Sequence, residues 1–346
     1  MRTCDADWAA RPEWLWRIIT DAAPRIPWPL FVCAVGGART QHRIGRMQSL
    51  WMIVAAFLFS IMGVFVKLAS SEHSAWEILF WRSLVGLVVL IPIIRSMQGG
   101  LRAGLATKYW AAHTVRNLSG TMAVTLWFAS LAHLPIAVSM TLNYSSSLFI
   151  GVGCFVGAAW RGSTMDLDGM RQGPMLFALF VGFIGIILIL RPTLAENQLI
   201  WALMALASGA LAGIALMTVR ALGRLKEPSS RIVFYFTLSG LLVALVGMSV
   251  TEVHWPISRT LVHLVAVGGT AALGQLALTR AYGYGQTLLA ANLNYAGILF
   301  ATLWGWWFWN DRTPWIAALG MLLVVGAGIG ATWLTTNTGR PALEAE

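Results

Sequence analysis

Two stretches of the chain repeat the same motif: residues 142–149 read LNYSSSLF, and residues 293–300 read LNYAGILF. Five of the eight positions are identical at an offset of 151 residues. Each stretch lies inside a long apolar run, and hydrophobicity alone does not explain why asparagine and tyrosine recur there together. The alternative is chance similarity, since apolar helices draw on few residue types. The pair predicts an internal repeat.

The composition around these stretches is that of a membrane protein. Of the 346 residues, 58% are hydrophobic and only 11% are charged, whereas soluble domains have about 45–50% and about 25%. So few charges cannot cover a water-facing surface of this size, which excludes an ordinary soluble enzyme. The high hydrophobicity also excludes disorder. The formal charge of +10 does not indicate a nucleic-acid binder, because the basic residues lie between apolar runs rather than on one polar face.

Apolar runs follow one another from Leu50 onward, each about 17–23 residues long, which is long enough for a helix to cross a bilayer. We predict spans at 50–69, 76–94, 112–131, 136–158, 174–190, 199–219, 231–251, 260–281, 287–309 and 315–335. Helices are required because the bilayer core offers no water to unpaired backbone groups. The predicted fold class is an all-α polytopic membrane protein with ten transmembrane helices.

The two motif copies predict the orientation of the halves. Five spans separate them, and an odd number reverses direction, so we predict two inverted five-helix repeats at residues 47–190 and 191–335. Fourteen Lys and Arg side chains fall on one side of the predicted membrane and four on the other. The positive-inside rule then places both termini, including the tail 336–346, in the cytoplasm. The membrane expected is a bacterial-type inner (plasma) membrane.

Residues 1–46 differ from the rest of the chain, with seven arginines, four acidic residues and four prolines. Their apolar run is too short to cross a membrane. We predict a cytoplasmic extension, either disordered or preceding a native translation start at Met47.

Further motifs accompany the repeat: residues 77–83 (EILFWRS), residues 133–137 (HLPIA), residues 279–282 (TRAY) and Gly320. With them, residues 50–335 resemble the EamA family of the drug/metabolite transporter superfamily, which implies a ten-span protein built from two EamA repeats. The resemblance implies movement of metabolites, amino acids or drugs. The family pattern usually ends spans four and nine with an acidic residue; Trp160 departs from it, whereas Asp311 follows it.

The function predicted is secondary active transport of a small polar metabolite by alternating access, with no cofactor. The sequence has no G-x-x-x-x-G-K-[ST] phosphate loop and no His, Asp or Glu cluster suited to a metal. One alternative is an exporter of drug-like compounds. Another is a membrane-embedded enzyme acting on a lipid-linked substrate, for which Asp166 and Asp168 would be a candidate metal-binding pair, although a solvated loop is the simpler interpretation.

Two charged residues fall inside span two, where ionisable groups are costly and usually functional. Arg82 is a candidate anchor for a substrate anion, or its long side chain reaches the outer interface. Glu77 lies five residues earlier, about 140° around the helix, so the two do not naturally pair. Glu77 is a candidate for substrate binding and proton coupling, or a solvated acid at the helix start.

The polar residues of the repeated motif are candidates for a central substrate site: Asn143, Tyr144, Asn294 and Tyr295. The alternative is hydrogen bonding between helices, which contributes about 0.6–2 kcal/mol per contact in membranes. Trp127 and Gln275 are weaker candidates for the same pocket.

Two further arginines, Arg116 and Arg280, lie near the predicted cytoplasmic ends of spans three and eight. They are candidates for an inner gate, or they only determine topology. Three arginines against one carboxylate favour an anionic or zwitterionic substrate, such as an amino acid or a related compound. Glycines in spans five and ten, including Gly185 and Gly320, predict close helix packing, with a homodimer contact as the alternative use.

Overall fold

The computed structural model describes residues 42–96, 104–146, 148–150, 177, 180–189, 198–256, 258–285, 290, 293–311 and 314–337. Most of the predicted N-terminal extension and of the tail lies outside these residues, as do Trp160, Asp166 and Asp168.

Every regular element of the described residues is a helix. The helical segments are α1 (His42–Ala69), α2 (Ala75–Arg95), α3 (Trp110–His133), α4 (Ile136–Tyr144), α5 (Phe180–Ile189), α6 (Leu199–Arg224), α7 (Ser229–Met248), α8 (Ser258–Tyr284), α9 (Ala296–Trp309) and α10 (Trp315–Asn337). Each one overlaps a predicted span.

Five described helices are long and apolar enough to cross a membrane: Gln48–Ala69, Ala75–Arg95, Leu199–Arg224, Ser229–Met248 and Thr260–Tyr284. Large apolar side chains on the outer surface, such as Val88, Val246, Leu299 and Leu322, are between 64% and 73% exposed. Water would disfavour such a surface, whereas lipid accepts it. The prediction of an all-α membrane protein is confirmed, and the ten-span, two-repeat count stays a prediction.

The same helix pairings occur twice, with the first and second predicted halves interchanged. Helix α1 packs on α8 and α3 packs on α6; in the same way, α9 packs on α1 and α4 packs on α6. The second helices of the halves, α2 and α7, contact each other, and so do the fourth helices, α4 and α9. The center of the molecule is therefore built from both halves.

Glycines bring α5 and α10 into close contact. A Cβ atom on Gly185 would lie 2.7 Å from the Gly320 carbonyl oxygen, and one on Gly320 would lie 2.6 Å from the Gly185 oxygen. No other residue type fits this approach without backbone movement. The predicted packing role of these glycines is confirmed.

Both copies of the repeated motif lie at a helix break. Helix α4 ends at Tyr144 and Ser145 forms a turn, while Tyr295 forms the turn that precedes α9. The Leu148 N–H donates to the Ser145 oxygen at 2.8 Å, and the Ile298 N–H donates to the Tyr295 oxygen at 3.0 Å. These bonds span three residues and tighten the chain locally. The motif thus brings polar side chains and irregular backbone to one place in each half.

Candidate substrate-binding cavity

A cavity of about 90 Å³ lies among the helices of both predicted halves. Its apolar wall includes Phe59 of α1, Leu216 of α6 and Phe236 of α7. Its polar lining consists of Arg82, Arg116, Trp127, Asn143, Tyr144, Ser146, Gln275 and Asn294. Pockets that bury drug-sized ligands measure about 300–1,000 Å³, so the site is small in this conformation.

Two arginines meet at this cavity. Arg82 of α2 and Arg116 of α3 are each 3% exposed. Their guanidinium carbons lie 5.0 Å and 4.1 Å from the center of the Phe236 ring, within the range of cation–π attraction. The Nη2 atom of Arg116 also donates to Oε1 of Gln275 at 3.3 Å. One aromatic ring and one neutral amide therefore surround two cations.

The charge of these arginines is poorly compensated. Among the described residues, no carboxylate forms an ion pair with Arg82 or Arg116, and the Nε atoms of both lack a hydrogen-bond partner there. A guanidinium does not lose its proton in proteins, and a buried unpaired charge costs several kcal/mol. The cavity is chemically suited to bind an anion.

Other polar atoms of the cavity wall are also unused. Tyr144 Oη, Trp127 Nε1 and Asn294 Oδ1 are buried without a hydrogen-bond partner among the described residues. By contrast, Asn143 Nδ2 donates to Ser208 Oγ of α6 at 2.8 Å. Because buried polar atoms are almost always paired, these three unpaired atoms mark the residues of the wall that are candidates for ligand contact.

The structure brings seven of the residues predicted from sequence to one cavity: Arg82, Arg116, Trp127, Asn143, Tyr144, Gln275 and Asn294. It does not place Glu77, Tyr295 or Arg280 in the wall. Arg116 is a candidate for an inner gate or a topology determinant in the sequence, yet it lines the cavity, because it lies six residues into α3, about 9 Å along the axis.

Glu77 is held at the start of α2, away from the cavity. Its carboxylate accepts hydrogen bonds from the backbone N–H groups of Ser74 at 2.7 Å and His254 at 2.6 Å. Nδ1 of His73 lies 3.3 Å from it. The side chain is 1% exposed, so it is a helix-start acid, as one alternative expected, but buried rather than solvated. We call this set the Glu77 contact.

The other two predicted residues lie apart from the cavity for different reasons. Arg280 is exposed at the end of α8, where its Nε donates to Gln48 Oε1 at 2.7 Å. Tyr295 is buried at the turn before α9, 4% exposed. Asp311, where the family pattern has its acid, lies 3.8 Å from Lys67 Nζ and is not among the cavity residues.

Sequence reasoning missed a second carboxylate, Glu227, at the opposite end of the molecule. It accepts from Thr107 Oγ1 at 2.8 Å and pairs with Arg231 at 2.8 Å. Arg231 Nε in turn donates to the Gly104 oxygen at 2.7 Å. We call this set the Glu227 contact. It joins the α2–α3 loop of the first half to the α6–α7 turn of the second.

Two cavity residues were missed because they look ordinary in sequence. Phe236 is one apolar residue in an apolar helix, and nothing marks it as the ring shared by two arginines. Gly120 lies one turn after Arg116, and a Cβ atom there would overlap the Arg116 guanidinium and lie 3.0 Å from Phe236 Cε2. An i, i+4 spacing of arginine and glycine was the available signal.

The outer surface consists of apolar helices, and residues of both predicted halves line a small polar cavity between them. This arrangement is typical of a polytopic helical membrane transporter. Residues 46–191 match the EamA-like transporter family. These residues therefore form an EamA-like domain, and the family match with the relatives' names supports a transporter of the drug/metabolite type rather than an enzyme.

Curated relatives along most of the chain are transporters. A pseudopaline exporter of Pseudomonas aeruginosa is 29% identical over 277 residues, which cover 80% of this chain and 93% of the exporter. A riboflavin transporter of Brucella anthropi is 24% identical over 307 residues, which cover 84% of this chain and 100% of that transporter. Solute carrier family 35 member G1 of Mus musculus is 24% identical over 330 residues, which cover 89% of this chain and 86% of that protein. One solved crystal structure shares the fold, with a TM-score of 0.61 at 18% identity, and covers 84% of this chain and 98% of that one.

Proposed function

We propose that this protein is a secondary active transporter that moves a small anionic or zwitterionic metabolite across a bacterial-type inner membrane by alternating access. The observation that carries the proposal is the pair of buried arginines, Arg82 and Arg116, which line one cavity without a carboxylate partner among the described residues. An acid group of the substrate supplies the missing partner. An amino acid or a related compound fits this description.

The proposed architecture is two inverted repeats, at residues 47–190 and 191–335, with both termini in the cytoplasm. Two observations support it. Helix pairs recur with the halves exchanged, as in α1 with α8 and α6 with α3. The Leu-Asn-Tyr motif also lies at a helix break in each half. Inverted repeats that meet around a central site are a common plan of secondary transporters.

Substrate binding uses both kinds of group in the cavity. The acid group lies against Arg82 and Arg116, because charge-assisted hydrogen bonds to guanidinium are strong and directional. The rest of the molecule is oriented by Tyr144, Asn294 and Trp127, whose polar atoms are unpaired within the described part of the chain. Anion binding thereby lowers the cost of the two unpaired buried cations.

Alternating access operates through the two ends of the cavity. The Glu77 contact joins α2 to the α7–α8 loop, through the His254 N–H, at the predicted outer end. The Glu227 contact joins the α2–α3 loop to α7 at the predicted inner end. Each contact connects one half to the other, so breaking one while the other persists opens the cavity to one side only.

The names of the relatives suggest directions of transport and substrates, but they do not agree on one class of substrate. One is named as an exporter of pseudopaline and others as riboflavin transporters. The chemistry of the cavity therefore carries the substrate class proposed here. The exporter of drug-like compounds remains a second candidate only through these family names, since the enclosed volume of about 90 Å³ is small for such molecules.

The test is uptake and efflux of a metabolite panel in proteoliposomes, with and without a pH gradient. We expect at least one acidic metabolite to be transported, with Arg82→Gln and Arg116→Gln each lowering its rate at least tenfold. Arg95→Gln is the matched control, since Arg95 is an exposed arginine at the end of the same helix as Arg82. Wild-type rates in both cavity variants would refute the proposal. A rate that follows the pH gradient and loses that dependence in Glu77→Gln would support proton coupling.

A further inference from the structure

We infer that the preferred substrate brings two negative charges into the cavity, as a small dicarboxylate or a phosphate monoester does. The inference rests on the proposed function, and it narrows the anionic or zwitterionic class to dianions. Its basis is the charge balance of the cavity wall.

The acidic residues of the described chain are all engaged elsewhere or exposed. Glu72 accepts from Thr260 Oγ1 at 2.5 Å, and Glu77 accepts from the His254 N–H at 2.6 Å. Glu227 pairs with Arg231 at 2.8 Å. Asp311 pairs with Lys67 at 3.8 Å. Glu252 is exposed in the α7–α8 loop.

The described wall of the cavity thus carries two positive charges and no negative one. Arg82 and Arg116 contact a ring and an amide, which are neutral. Ions placed in such a dry site interact far more strongly than in water. A monoanion would leave one buried arginine unpaired. A zwitterion would leave one arginine and its own positive group unpaired, whereas a dianion restores neutrality.

The geometry lets one small molecule reach both cations. The two guanidinium carbons lie 5.0 Å and 4.1 Å from the same ring center, and both arginines line the same cavity. A carboxylate engages one guanidinium through two parallel hydrogen bonds. Each arginine can therefore take its own acid group, and a phosphate monoester carries a charge of about −1.5 to −2 at pH 7 on a single group.

The enclosed volume sets the size of the acidic part. The volume of about 90 Å³ is well below the roughly 300–1,000 Å³ of pockets for drug-sized ligands, which favours a short skeleton with two acid groups. Longer substrates would need the cavity to expand. Four- and five-carbon dicarboxylates are accordingly the first probes.

The test compares dicarboxylates with monoesters that share their skeleton and carry one negative charge fewer, and it adds glycerol 3-phosphate as the phosphate probe. Purified full-length protein in detergent is titrated at pH 7.5 with succinate, glutarate, their monomethyl esters and glycerol 3-phosphate, and binding is followed by calorimetry. We expect at least one dicarboxylate, or the phosphate ester, to bind at least tenfold more tightly than either monoester. If the phosphate ester alone shows this preference, the dianion is a phosphate; if a dicarboxylate alone does, it is a dicarboxylate.

Variants then connect the preference to the two charges. Arg82→Gln and Arg116→Gln should each reduce the dianion-to-monoanion affinity ratio at least tenfold, whereas Arg95→Gln should keep it within threefold. The ligand comparison on the wild-type protein needs no variant to fold. Equal binding of diacid and monoester, or binding of no dianion at all, would overturn the inference. If binding is equal but still depends on both arginines, the proposed function stands and only the dianion preference fails.

Discussion

Replacing Gly120 by alanine should weaken anion binding while leaving the fold intact. A Cβ atom at Gly120 would overlap the Arg116 guanidinium. That group is the far end of a flexible side chain, so it can move aside without disturbing the backbone. The added methyl group keeps Arg116 from its place against Phe236, 4.1 Å from the ring center. An anion in the cavity then contacts Arg82 alone.

The size of the effect follows from the hydrogen bonds lost. A hydrogen bond to a charged group contributes about 1.5–3 kcal/mol, which corresponds to an affinity loss of about 10- to 150-fold. The free energy of unfolding should change little. Alanine inside a helix gains up to about 1 kcal/mol over glycine, which offsets the crowding of Phe236 Cε2, 3.0 Å from the new Cβ. Transport rates at substrate concentrations below saturation should fall by a similar factor.

The assay is isothermal titration with an acidic ligand that the wild-type protein binds, together with thermal unfolding in detergent. Gly269→Ala is the matched control, since a Cβ atom at Gly269 of α8 meets nothing within 4 Å among the described residues. If Gly120→Ala binds the anion as tightly as wild type, Arg116 does not contact the ligand from the position described. A collapse of stability in Gly120→Ala alone would show that the guanidinium is not free to move.

Three further predictions concern the ends of the cavity and the packing of the helices. Glu227→Gln should weaken the Glu227 contact and increase labelling of a cysteine at Ser146 by an impermeant thiol reagent added from the predicted cytoplasmic side. Glu77→Gln should increase labelling of the same cysteine from the opposite side. Gly185→Val should destabilise the protein by at least the 1–3 kcal/mol typical of overpacking, because its side chain would meet the Gly320 carbonyl oxygen 2.7 Å from its Cβ; thermal unfolding in detergent measures this.

Each of these experiments has an internal comparison. Labelling is done in a background without native cysteines, and the two glutamate variants serve as controls for each other. Equal increases from both sides in either variant would contradict a contact that closes one end. For the packing prediction, Gly326→Val is the control, since a Cβ atom there meets no described residue within 4 Å; similar unfolding temperatures for both valine variants would be inconsistent with a special role for Gly185.

The positions of the helices could be predicted because hydrophobicity is a local property of the sequence. The Leu-Asn-Tyr copies and Arg82 could be found for a related reason: a polar residue inside an apolar run stands out. Phe236 and Glu227 could not be found this way. The first is an apolar residue in an apolar helix, and the second lies in a polar turn.

Contacts between distant segments explain the remaining differences. Glu77 was a candidate for substrate binding because it is a carboxylate inside a predicted span. Its neighbours in sequence do not reveal that the His254 N–H, 177 residues away, binds it. The place of Arg116 likewise depends on how α3 lies against α7 and α8. Such pairings depend on tertiary packing, which a single sequence does not record.

The Glu77 contact has a consequence for sequence divergence. The donor at residue 254 is the backbone N–H, so the identity of the side chain is irrelevant to that bond and only proline, which lacks the N–H group, removes it. Position 254 can therefore vary widely among related transporters while this hydrogen bond persists. His254→Ala should behave as wild type in the thiol-labelling assay, and His254→Pro should behave as Glu77→Gln does. A contact made in this way leaves no conserved residue to mark its donor.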